Sequence, residues 1–154
     1  MADEAFNKLL QLISYRERST KELVERLSRA GLDARGRGEP RFSAAEIERA
    51  IARATQAGLV DDKRFAELYI RSKQASGWGR RKIENGLSRA GIKLAEEPGY
   101  PDAFFDSDDL ELDRAKNDLA HYHSHAKDQY GARLRHLLSH GFSYDIAKQA
   151  IAAS

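Results

Sequence analysis

Apolar residues recur along this chain at three- and four-residue intervals, the spacing of one face of an α-helix. In EAFNKLLQLISYR, Phe6, Leu9, Leu10 and Ile13 share a face; in STKELVERLSRAG, Leu23, Val24 and Leu27 do. DDKRFAELYIRSK repeats the pattern with Phe65, Leu68 and Tyr69, and LELDRAKNDLAHYH with Leu112, Ala115, Leu119 and Tyr122. Each predicted helix is amphipathic and too small to bury its apolar face alone.

The predicted helices also have marked ends. The phrase LSRAG occupies 27–31 and again 87–91, and LLSHG at 137–141 keeps the same leucine-to-glycine spacing. Ile83 and Leu87 precede the second glycine, and Leu134, Leu137 and Leu138 the third. Gly31, Gly91 and Gly141 therefore stand where a helix is closed by a left-handed residue. Ser19 with Glu22, and Ser43 with Glu46, have the capping-box spacing, which starts helices near Thr20 and just after Ser43. FSAAEIERAI from Phe42 and FSYDIAKQAI from Phe142 share their first and last two residues. Helix, glycine stop and capped helix thus recur as a unit. The pattern predicts an all-α protein, an elongated tandem array of three small three-helix, helix-turn-helix-like repeats spanning 1–57, 58–107 (with an acidic linker) and 108–154. DARGRGEPR, at 33–41, and AEEPGYPDAFF, with two prolines, read as exposed connections. The second is expected to hold a short helix around 103–105, with Phe104 and Phe105 docked against something.

At 154 residues, 41% hydrophobic and 32% charged, the chain has enough apolar surface for small helical units. It has no cysteine, which excludes a disulfide framework and points to a reducing cytoplasm. No stretch reads as a signal peptide or a membrane span. The net charge of +2 conceals an asymmetry: residues 63–93 hold nine Lys and Arg against two Glu, a local +7, while 94–113 hold eight Asp and Glu and no base, a local −8. Such a basic block suits a polyanionic or mixed-charge partner.

Catalytic chemistry finds little support. Asp61 and Asp62 read as the cap and first-turn acid of the Phe65 helix. GWGRRK lacks the Gly-Lys-Ser/Thr ending of a phosphate-cradling loop, and no nucleophile has recognisable partners. His121 and His125, like His136 and His140, have the i, i+4 spacing that can hold zinc, but HYHSH is otherwise an ordinary solvated stretch. Neither a metal nor any cofactor is expected. Trp78, between two glycines and followed by Arg80, Arg81 and Lys82, has the composition of a base-stacking surface.

GLVDDKRFAELYIRSKQASGWGRRKIENGLSRAGI, at 58–92, resembles the central signature of the RecX family, regulators of the RecA recombinase filament. The resemblance rests on Asp61, Asp62, Phe65, Ala66, Arg71, Gly77, Gly79, Arg81, Ile83, Leu87, Gly91 and Ile92, in order and with similar spacing. RERSTKELVERLSRAG and ARLRHLLSHGFSYDIA are similar to the flanking repeats. Gly86 stands where the family usually has an acid, and Arg80 where proline is frequent. The resemblance implies a non-catalytic, monomeric protein that lies in the groove of the RecA filament on single-stranded DNA and restrains its recombinase, ATPase and co-protease activities in DNA repair and the SOS response. Direct DNA contact would be a weaker, secondary mode. The alternative is a free-standing helix-turn-helix nucleic-acid binder gripping phosphates through Arg80, Arg81 and Lys82. The candidate contact residues are Arg16, Arg18, Lys63, Arg64, Arg71, Lys73, Trp78, Arg80, Arg81, Lys82 and Arg89.

Overall fold

The structure, a computed structural model, describes residues 3–154. Eight α-helices account for most of them: α1 (Glu4–Tyr15), α2 (Thr20–Arg29), α3 (Ala44–Gln56), α4 (Asp62–Ala75), α5 (Arg80–Arg89), α6 (Asp108–Ala120), α7 (Gln129–Ser139) and α8 (Tyr144–Ala152). No strand occurs among the described residues; one isolated bridge joins Leu32 and Gly38. The fold is the all-helical one that the apolar periodicity implies.

The starts and stops fall where side-chain chemistry puts them. Asp3, Ser19, Ser43, Ser107, Asp128 and Ser143 each accept a backbone N–H from the first turn of the following helix. Asp61 does the same for Arg64 at the start of α4. Ser43 and Glu46 form the complete reciprocal box. Ser19 and Glu22 form half of one: Glu22 ion-pairs with Arg16, and the Ser19 hydroxyl donates instead to the Ala90 carbonyl. Gly31, Gly91 and Gly141 have φ of +89°, +82° and +96°, the left-handed conformation their position demands.

The chain divides into two compact units. The first comprises the residues up to Ala66 together with Ala90–Ile92. In it α1, α2 and α3 pack mutually around Phe6, Leu9, Leu12, Leu23, Leu27, Phe42, Ile47 and Ala50. Leu12 replaces Leu10 in the expected α1 face, and Val24 lies half out of the α2 face, because both stripes are narrower than a permissive reading of helical spacing allows. The second unit comprises Glu67–Arg89 and Lys93–Ser154. Here α6 packs on α8 and α7 through Ala115, Leu119, Leu137, Phe142, Ile146, Ala147 and Ala150; the three alanines let α6 and α8 approach closely. Leu68 and Leu138, assigned by spacing to apolar faces, are exposed, whereas Ala66 and Ile70 are buried.

The connection at 33–41 is organised around Asp33, whose carboxylate accepts the Arg35 and Arg37 backbone N–H groups. These bonds hold the Asp33 carboxyl below its ordinary pKa. Residues 103–105 are not helical. They form consecutive turns, Ala103 N–H to the Gly99 carbonyl and Phe104 and Phe105 N–H to that of Pro101, because two prolines and a glycine leave too little regular backbone for a helix to nucleate. The short helix of this stretch is a 3₁₀ turn at Leu94–Glu96. Phe105 is buried, as expected of it; Phe104 is only half-buried.

Two helix starts are closed from a distance, in the same way. At α2, the Thr20 N–H donates to Asp62 Oδ1 at 2.8 Å, and Gly91 backs onto the Lys21 side chain. At α5, the Arg80 N–H donates to Glu111 Oε1 at 2.7 Å, and Gly141 backs onto Lys82. The second joint is tightened by Gly79 N–H to the His140 carbonyl, 2.7 Å, and Arg81 N–H to that of Gly141, 2.9 Å. Glu111 is itself buried and also bonds Arg114, which forks onto both oxygens of Asp106. The Arg114 guanidinium holds the Asp106 carboxyl below its usual range.

Two outcomes follow from these joints. A Cβ at Gly79 would run into the Gly141 peptide, which is backbone and cannot step aside. Gly79→Ala is expected to lower stability by about 1–3 kcal/mol in urea denaturation. The lowered Asp106 pKa means that its contribution is complete above the unfolded value and is lost as pH falls through the folded one, below about pH 4. Asp106→Asn should therefore be less stable than the parent at pH 7 and draw level with it on acidification, as read from thermal midpoints across that range.

Candidate functional site

The basic residues sort into those committed to the fold and those left facing solvent. In the first unit, Arg18 is buried; its Nε donates to the Leu12 carbonyl at 3.0 Å, and burial, with Arg16 and Arg26 nearby, lowers its pKa. Arg16 pairs with Glu22, and Arg64 forks onto Glu17 while donating to the Gly58 and Leu59 carbonyls that end the α3 connection. Arg64 thereby fastens the turn that follows α3. Lys63 is exposed.

In the second unit, Arg80 is held from several sides. Its guanidinium bonds Glu84 and the Tyr100 hydroxyl, both at 3.3 Å, and lies 4.8 Å from the Phe105 ring centroid. Burial works against its charge, but the bonds from Tyr100 and Glu84 outweigh burial and leave the pKa raised. The residues beside it are differently placed. Arg71 and Arg81 are exposed with no ion pair among the described residues, and Arg89 is exposed near the end of α5.

Trp78 is the centre of what remains. The left-handed Gly77 and the Trp78 N–H bond to the Lys73 carbonyl fold the chain back over the end of α4. The half-buried indole then has two ammonium groups over its ring, Lys73 Nζ at 4.6 Å and Lys82 Nζ at 4.2 Å from its centroid, with the Tyr69 ring edge-on at 6.4 Å. The end of the Tyr69 ring occupies the space a side chain at position 86 would need, so Gly86 lets Tyr69 pack against α5. A half-buried indole with cations at its ring, and Arg81 and Arg71 exposed on the flanking helices, brings together an aromatic surface and the positive charge that meets an anion. Spacing alone singles out Trp78 and its basic neighbours. It does not show that Arg16, Arg18, Arg64 and Arg80 have internal partners, because most of those partners are fixed only by the fold.

The comparisons with known proteins bear on this region and beyond it. The model of the RecX second three-helix domain matches residues 61–93, which carry α4, the Trp78 turn and α5. Regulatory protein RecX of Finegoldia magna is 30% identical over 153 residues, spanning 95% of this chain and 69% of that protein. The chain belongs to the RecX family. Regulatory protein RecX of Haemophilus influenzae is 27% identical, over 94% of this chain and 91% of its own. Crystal structures of RecX from Lactobacillus salivarius and of a second regulatory protein RecX share the fold, with TM-scores of 0.71 and 0.74 over 97% of this chain and 94% and 72% of theirs, at 24% and 19% identity. Where proline is frequent in the RecX family this chain has Arg80, whose N–H, a donor proline lacks, goes to Glu111. No helix among the described residues is long and apolar enough to cross a membrane.

The contrast between adjacent arginines is testable. Arg80→Glu should lower stability by about 1–3 kcal/mol, since it removes a bonded, partly buried charge and sets an acid against Glu84. Arg81→Glu should stay within about 0.5 kcal/mol of the parent, as an exposed substitution does. Paired urea melts distinguish them.

Proposed function

We propose that this RecX-family chain binds the RecA filament on single-stranded DNA and restrains its recombination, ATP hydrolysis and co-protease activities, without turnover of its own. It acts in the cytoplasm as a monomer, through three tandem repeats at 1–57, 58–107 and 108–154. The observation that carries the reading is the Trp78 indole with Lys73 and Lys82 at its ring, and Arg71 and Arg81 exposed on α4 and α5. Nine bases against two acids over 63–93 repel one another, and Glu17 and Glu84 meet part of that charge, at Arg64 and Arg80. The remainder favours an anionic surface outside the chain. Similarity to relatives named regulatory proteins supports regulation over catalysis.

Co-sedimentation with RecA filaments on single-stranded DNA, beside RecA alone and DNA alone, tests the reading. Tighter association with the filament than with either component is expected, together with slower ATP hydrolysis by the filament. Arg81→Glu with Lys73→Glu should weaken association and flatten its salt dependence, by roughly one unit of log–log slope for each phosphate no longer neutralised. Equal or tighter binding to bare duplex would instead identify a helix-turn-helix reader, and hydrolysis of ATP by the purified chain would refute a purely regulatory role.

A further inference from the structure

Asp118 projects from α6, His136 from the last turn of α7, and His140 from the residue that caps α7. His136 Nε2 lies 2.9 Å from Asp118 Oδ1, and His140 Nδ1 lies 2.7 Å from Asp118 Oδ2. One ligand atom from each of the three residues falls within 4.8 Å of the other two. The Tyr122 ring stacks on His136 at 4.0 Å with 16° between planes, which fixes the orientation of that imidazole. All three residues are half-buried, and Asp118 and His140 line a cleft of about 450 Å³ together with Asn117, His121 and Gln74.

We propose that Asp118, His136 and His140 bind a divalent transition-metal ion of the Zn²⁺ class. Two imidazole nitrogens and a carboxylate from two helices are the donor set of open zinc sites, and nitrogen donors disfavour Mg²⁺ and Ca²⁺. Around a tetrahedral ion with bonds of about 2.0–2.1 Å, neighbouring ligand atoms stand about 3.3 Å apart. The histidine–aspartate contacts, now 2.9 and 2.7 Å on separate oxygens, would open toward that spacing and the ligand atoms, now within 4.8 Å of one another, would close on it, movements within the reach of side-chain rotation. The coordinating nitrogens would be the ones that now meet the carboxylate, with the ring protons on the far nitrogens. Three protein ligands leave a fourth position facing the cleft, for water or a donor from a bound partner. The ion would clamp α6 to α7 at a mechanically useful place. The His140 carbonyl accepts the Gly79 N–H, so the peptide that seats the start of α5, next to Trp78, belongs to a metal ligand.

Helical spacing marks His136 and His140 as one pair among two and does not reach Asp118, which is 18 and 22 residues from them in sequence. The test uses the full, untagged chain, stripped with chelator and equilibrated with Zn²⁺. One zinc per chain by elemental analysis is expected, with a rise in melting midpoint of about 5 °C or more at a hundredfold excess over the dissociation constant. Asp118→Asn and His136→Gln should each weaken zinc binding about tenfold or more and remove the thermal shift. A His123→Gln/His125→Gln variant should keep both. Co²⁺ on the unaltered chain should give the intense visible absorption of a tetrahedral centre, a readout that requires no variant to fold. No saturable zinc binding, a Co²⁺ spectrum of the aqueous ion only, or zinc retained by Asp118→Asn and lost by His123→Gln/His125→Gln would each overturn the proposal.

Discussion

The first turn of an α-helix leaves backbone N–H groups with no partner inside the helix, and leaving such a donor buried costs about 1–3 kcal/mol. In this chain two of those donors are met by carboxylates far along the sequence: Thr20 by Asp62, 42 residues on, and Arg80 by Glu111, 31 residues on. Each time, a glycine turn from further downstream, Gly91 or Gly141, backs onto the same first turn. Small helices with modest apolar faces gain order from this constraint that packing alone does not supply. The left-handed glycines serve it twice: they end one helix, and having no side chain they let the next first turn come into contact.

The same joint organises the charges. Glu111 belongs to the acidic stretch that follows the basic block, and it meets the backbone of Arg80 and the side chain of Arg114 together. The two blocks are therefore neither independent solvated faces nor mutually cancelling. Part of the acid is committed to a helix start, part to Arg114, and Arg80 is drawn inward against Tyr100, Phe105 and Glu84. What remains outward is a smaller set around Trp78, on a loop whose position depends on the Gly79 and Arg81 amides bonded to residues 140 and 141. A partner would meet a surface arranged by the fold rather than a flexible run of bases.

Helix type, most boundaries and the glycine stops are legible in the sequence because they depend on neighbours three or four residues away. Ser43 with Glu46 shows this fully, and Ser19 with Glu22 shows its limit. There the local pattern holds for the serine, yet Glu22 finds Arg16 and the Ser19 hydroxyl finds Ala90. Asp61 and Asp62 divide the same way, Asp61 capping its own helix and Asp62 another. Trp78 and its cations are legible as a cluster because they sit within ten residues of one another in sequence. The Glu17 partner of Arg64, the Tyr100 and Phe105 contacts of Arg80, and the convergence of Asp118 on His136 and His140 are not, since each needs the tertiary fold to bring distant residues together. The 103–105 turns depart from the expected helix because adjacent phenylalanines suggest an ordered helix where the prolines have already fixed the backbone.

The central claim is that carboxylates from distant residues close α2 and α5. Amide hydrogen exchange measured by NMR tests it most directly, because first-turn amides without partners exchange freely. The account predicts that Thr20 and Arg80 are protected well above an unpartnered first-turn amide, and that Asp62→Ala and Glu111→Ala each abolish protection at their own amide while leaving the other unchanged. Thr20 and Arg80 exchanging as fast as an unpartnered first-turn amide in the parent chain, or keeping their protection in both variants, would contradict it.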